Sequence, residues 1–238
     1  MESIFPDSDE PKAYERSPQG MIKYHRLQKW WLEELTFSER KRCRIEYAYD
    51  PMSTGNIDKG LYSKSSSSTV NFLKSLASHF SSKEGDRPLA LKILKEAEAN
   101  IYLSTSVVDQ HFLYGRMMEL YYKDRNKEGY YNLAKEYALK QIKIAKKTTT
   151  QMKREHEKLA RDRIRKFKSY RNHTLADFPF HLPSHPGYKQ LAIIYKKEKC
   201  WDDVIALCEQ AISEGWCGDW EDRVDDALRQ KLKQQAPS

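Results

Sequence analysis

The chain has 238 residues, long enough for one ordinary domain or two small ones, and large enough to build a hydrophobic core without staples. Charged residues make up 32% and the mean hydropathy is −0.85, a polarity that suits stacked amphipathic helices, each burying a single stripe. Four scattered cysteines without CxxC spacing (Cys43, Cys200, Cys208, Cys217) and an N-terminus without an export pattern lead us to expect a cytoplasmic protein in a reducing compartment, and no apolar run approaches the ~20 residues that cross a bilayer.

The net charge of +8 is unevenly distributed. Residues 135–171 hold fourteen Lys or Arg against four Asp or Glu, whereas residues 198–226 hold ten acidic and two basic residues. The chain therefore has a cationic middle and an anionic end, a polarity that serves self-docking as readily as partner binding.

In chain order, residues 1–19 contain Pro6, Pro11 and Pro18 among several acids and read as a flexible lead. An N-terminal helical segment follows at 20–49. Its first helix is predicted over 21–35, with Trp30 and Trp31 near its end, and Thr36-Phe37-Ser38-Glu39 has the spacing of a capping box that starts a second. Residues 50–69, rich in Ser and Gly, form the one long low-complexity loop and the candidate domain boundary.

From 70 to 235 the pattern is helical throughout. Asp86-Arg87-Pro88 opens one helix, Ser106 to Asp109 offers a capping box, Gly129 precedes the next helix, and Thr148-Thr149-Thr150-Gln151 starts another. A proline-rich connector at 178–186 leads to two shorter helices and a last one starting near Asp219. The fold class is all-α.

Within residues 185–218 the chain reads Tyr188-x2-Leu191-Ala192-x2-Tyr195, then Val204-x3-Cys208, Ala211 and Trp216, with Trp201-Asp202-Asp203 where a second helix would begin. This resembles the 34-residue tetratricopeptide repeat, with Leu191, Tyr195 and Ala211 matching and Val204, Cys208 and Trp216 departing from its pattern. A looser copy falls on Tyr114-x2-Met117-Met118-x2-Tyr121 and Ala134-x3-Ala138. The resemblance implies stacked antiparallel helix pairs in an α-solenoid, used for protein recognition, with Tyr195 and Ala211 in one buried seam. The first helix of each pair would line the concave side, at Lys189, Ile193, Lys196 and Lys197 and, in the looser copy, Glu119, Tyr122 and Lys123. Lysines there suit an acidic peptide or a C-terminal carboxylate; a merely solvated face is the alternative.

Projecting residues 151–171 as one helix puts Met152, His156, Leu159, Ile164, Phe167 and Tyr170 on a core stripe. Arg154, Lys158, Arg161, Arg165 and Lys168 fall on the flank as a basic ridge. Such a ridge attracts phosphates or acidic protein surfaces, or is simply solvated.

Catalytic signatures are missing: there is no Gly-Lys-Ser/Thr, GxGxxG or GxSxG, and no catalytic residue, cofactor or small-molecule substrate is expected. His173, His181 and His185 flank the proline connector but read as structural, so no metal site is expected, and Cys208 reads as a small buried hydrophobe. The function expected is that of an adaptor or scaffold binding an acidic protein segment, with a nucleic-acid-associated protein using the basic helix as the alternative. The sequence points to no enzyme.

Overall fold

A computed structural model describes residues 16–49, 56–61, 65–103 and 106–235. Most of the expected lead (1–15) and parts of the expected loop (50–55 and 62–64) lie outside the described residues. Among those described the protein is all-helical, with one isolated bridge between Ser184 and Cys217. None of its helices is long and apolar enough to cross a membrane.

The chain divides into two compact units, one ending at Leu103 and the other starting at Ser104. In the first, the helix expected over 21–35 is two short ones, α1 (Gly20–Tyr24) and α2 (Gln28–Glu33), because Arg26 adopts a left-handed φ of 58°. The break is held from outside the segment: Gln19, Gly20 and Ile22 donate backbone hydrogen bonds to the carbonyls of Asp58, Gly60 and Ile57. Part of the low-complexity loop is thus a packed strap, fastened by the ion pair of Arg44 with the buried Asp58 at 2.7 Å.

The capping box at Thr36 and Glu39 forms in both directions and starts α3 (Phe37–Tyr49). Ser68 caps α4 (Thr69–Ser78), and Pro88 sits in the first turn of α5 (Arg87–Ala99). α4 packs on α3 and on α5, and Lys92 of α5 reaches Glu39 at 2.8 Å. These two helices, which the sequence groups with the repeat region, therefore belong to the first unit.

The second unit is built from α6 (Val107–Lys123), α7 (Tyr130–Lys143), α8 (Ala145–Lys166), α9 (Pro186–Lys197), α10 (Trp201–Ser213) and α11 (Trp220–Gln235). Ser106 caps α6, and Gly129, at a φ of 75° that a side chain would strain, precedes α7. α6 and α7 run antiparallel, since Tyr121 meets Tyr130 while Gln141 donates to the carbonyl of His111. α9 and α10 likewise form a consecutive pair.

Across pairs the first helices are parallel. His111 meets His185 near one end of α6 and α9, and Lys197 reaches the hydroxyl of Tyr122 at the other. In the same sense Tyr188 meets Trp220, and Lys196 meets Asp226, along α9 and α11. The seams are apolar: Tyr188, Leu191, Ala192, Val204, Cys208, Ala211 and Trp216 are all buried. Tyr195 is half-buried rather than buried with Ala211, because its ring lies under the ammonium of Lys135 at the edge of the seam.

α8 differs from the helix expected in three ways. It begins at Ala145, directly after Ile144 closes α7, and Thr148 and Thr150 spend their hydroxyls on the carbonyls four residues back instead of capping. It ends at Lys166, where Phe167 turns extended. Its stripe is also not core throughout: Leu159 is 60% and Phe167 56% exposed, and Ala160 is the buried residue of its second half.

Close approach of α9 to α7 depends on Gly187. A Cβ there would lie 2.7 Å from Oε1 of Gln141 and 3.0 Å from the carbonyl oxygen of Ala138. The second contact is with backbone, which has no rotamer by which to yield. Gly187→Ala is expected to cost about 1–3 kcal/mol in urea denaturation despite the higher helix propensity of alanine.

Candidate functional site

The parallel packing of α6 and α9 leaves a groove of about 460 Å3 between them. Phe112, Arg116 and Glu119 face it from α6, Lys189 and Ile193 from α9, each set one helical turn apart. Of the residues singled out in the sequence, Glu119, Lys189 and Ile193 come together here.

Tyr122, Lys123 and Lys197 stand at one end of the groove. Lys197 donates to the Tyr122 hydroxyl at 2.8 Å and sits 5.3 Å from its ring centre, while Arg125 is 4.9 Å from the same ring. Lys196 belongs elsewhere, to a notch between α9 and α11, where it meets Asp226 at 2.6 Å.

Glu119 is held between Arg116 at 2.9 Å and Lys123 at 2.8 Å. Burial raises its pKa, but the hydrogen bonds and charges of Lys123 and Arg116 outweigh burial and leave the carboxyl below its usual range. It is therefore a carboxylate at neutral pH. The groove is lined by the cations Arg116 and Lys189 and the one acid Glu119, with Lys123 and Lys197 at its end. Asp219, which feels Lys189, is itself closed by Arg223 at 2.8 Å.

Two groove-lining amides carry buried atoms without hydrogen-bond partners, Oε1 of Gln141 and Nε2 of Gln190. The orientation of Gln141 is fixed because its Nε2 donates to the His111 carbonyl at 2.8 Å. Neither glutamine, nor Phe112, is signalled by the sequence. Phe112 could have been found by extending the Arg116 and Glu119 stripe one turn back; Gln141 comes from α7 and depends on tertiary packing.

At the start of α9, His185 is fully buried and its Nδ1 accepts the amide N–H of Tyr188 at 3.2 Å, capping the helix. Its ring lies 4.8 Å from that of His111 and 4.6 Å from that of Trp216, which stacks on His111. Burial, with the charge of His111 second, pushes the His185 pKa down to about 3. His173 instead packs on Tyr170 and Phe178. Among the described residues no three His, Cys, Asp or Glu side chains are placed to hold a metal ion. Burial raises the Cys208 thiol to about 11, far from nucleophilic range.

The ridge is also redistributed. Arg154, Lys158, Arg161 and Arg165 do form one stripe of α8, bordering a recess of about 920 Å3, but Lys168 lies in the turn beyond the helix end. The stripe extends instead to Lys147. It is partly self-neutralised, since Arg161 meets Glu157 at 3.5 Å and Arg165 meets Asp162 at 2.9 Å. Compared with known proteins, the chain matches no family model, no curated protein and no solved structure.

Proposed function

We propose that the second unit is a tetratricopeptide-like helical stack acting as an adaptor, binding an acidic protein segment in the groove between α6 and α9. The observation that carries the reading is the groove itself: two parallel first helices with an apolar strip at Phe112 and Ile193, lined by Arg116 and Lys189 against Glu119, with Lys123 and Lys197 at one end. Burial at the repeat positions of α9 and α10 supports the repeat reading, and α11, buried at Trp220 and Ala227 with a charged outer face, serves as its cap. Binding, and not catalysis, is the function.

The test is an array of Asp- and Glu-rich peptides, each with one Leu or Phe, read by fluorescence anisotropy against counterparts in which Lys replaces every acid. Acidic members should bind, and Lys189→Glu should weaken the best of them about tenfold or more, since a like charge now faces the ligand. Failure of every acidic peptide to exceed its basic counterpart would contradict the reading.

A further inference from the structure

The end of α8 makes a second surface, unrelated to the groove. Helical geometry stops at Lys166, and Phe167, at φ −113° and ψ 125°, swings the chain into a single tight turn, Lys168–Tyr170. Phe167 still donates its N–H to the Arg163 carbonyl at 3.0 Å, so the elbow is fixed to the helix. Rings pin it on the inner side: Phe167 meets Tyr170 edge-on at 6.5 Å, and Tyr170 meets Phe178 at 5.7 Å. Phe178 in turn offers its carbonyl to Nε2 of His156 at 3.0 Å, anchoring the returning chain to α8.

The elbow is thus ordered, yet Phe167 leaves 56% of its surface open. Single exposed apolar side chains are common, but a phenyl ring held open on a fixed backbone is placed for something flat to stack on it. Its surroundings indicate what. From residue 163 to 178 the chain carries five cations against one acid, Asp177. Arg163, Lys166, Lys168 and Arg171 are exposed, and none of them makes an ion pair among the described residues. The ridge cations Arg161 and Arg165, by contrast, are spent on acids of their own helix.

We propose that this elbow binds single-stranded nucleic acid, one base stacking on the open face of Phe167 while Arg163, Lys166, Lys168 and Arg171 hold the flanking phosphates. An aromatic platform edged by unpaired cations is the arrangement that accepts a base of any identity together with its backbone. An anionic lipid surface fits less well, because the turn around Phe167 is otherwise polar, with Ser169, Asn172, His173 and Thr174 exposed and bound to be desolvated on insertion. A duplex offers no open base face to the ring.

The probe is a fluorescein-labelled oligothymidylate of about 15 nucleotides, a length matched to such sites, titrated with the full chain at low salt. Binding is expected, weakened about tenfold by Phe167→Ala and restored by Phe167→Tyr. Changing Lys166, Lys168 and Arg171 to Gln should flatten the dependence of affinity on salt, since each phosphate contact releases counterions. Circular dichroism should be unchanged in every variant, these side chains being exposed. No binding at low salt, or an affinity indifferent to Phe167, overturns the proposal. So does equally tight binding to a duplex of the same length, equal displacement by polyglutamate, or Phe167-dependent binding to phosphatidylserine vesicles without binding to the oligonucleotide.

Discussion

Ala211→Glu should destabilise the second unit by about 3 kcal/mol or more, a large share of the ~5–15 kcal/mol that holds an ordinary domain folded. Ala211 has no exposed surface, and its carbonyl accepts the N–H of Trp216, so neither its Cβ nor the local backbone can move to let a carboxylate reach water. The buried residues of the same pair, Tyr188, Leu191, Val204 and Cys208, offer no cation to pair with it. Urea denaturation followed by circular dichroism measures the loss. A variant with the wild-type midpoint would mean that α9 and α10 do not form the seam described.

Acid should weaken the same unit, and the sign follows from His185. In the unfolded chain this imidazole titrates near 6.5, whereas burial and His111 hold it neutral in the fold down to about 3. Between those values the unfolded state binds a proton that the folded state refuses, so stability is complete above pH 6.5 and declines as the pH falls toward 3. From pH 6.5 to 5, before most carboxylates titrate, the loss should reach about 2 kcal/mol. His185→Asn keeps an acceptor for the Tyr188 N–H but removes the titrating group. Its stability should therefore be flatter over this window, and an unchanged slope in urea denaturation series would show that His185 does not carry the effect. His25, buried in the first unit and held down to about 4, adds a parallel loss there.

Local chemistry made much of the fold legible. Thr36 with Glu39, Pro88, Ser106 and Gly129 each mark a helix start through interactions within one turn, and these starts stand where the sequence places them. The errors occur where a distant contact or a packing choice decides. Arg26 breaks the first helix because residues 56–60 bind the backbone around it, and nothing in the segment announces that. Ile144 is a corner between α7 and α8 although good helix formers surround it, and Phe167 ends α8 without proline or glycine.

The same distinction holds at the groove. Glu119, Lys189 and Ile193 were accessible to reasoning by helical spacing, because each shares a face with its neighbours on one helix. The diversion of Lys196 to Asp226, and the approach of Gln141 from α7, follow from which helix packs against which. Treating residues 151–171 as one helix hid Phe167 in a core stripe, and with it the cationic elbow.

The central claim is that an acidic segment lies between α6 and α9, and residue-resolved NMR titration tests it most directly. With the tightest acidic peptide of the array added to isotopically labelled protein, the largest amide shift changes should cluster at Phe112 to Lys123 and Pro186 to Lys197. They should shrink in Lys189→Glu and leave α8 unmoved. Shift changes concentrated instead on α8, from Lys147 to Arg165, would show that acidic ligands recognise the basic stripe and not the groove.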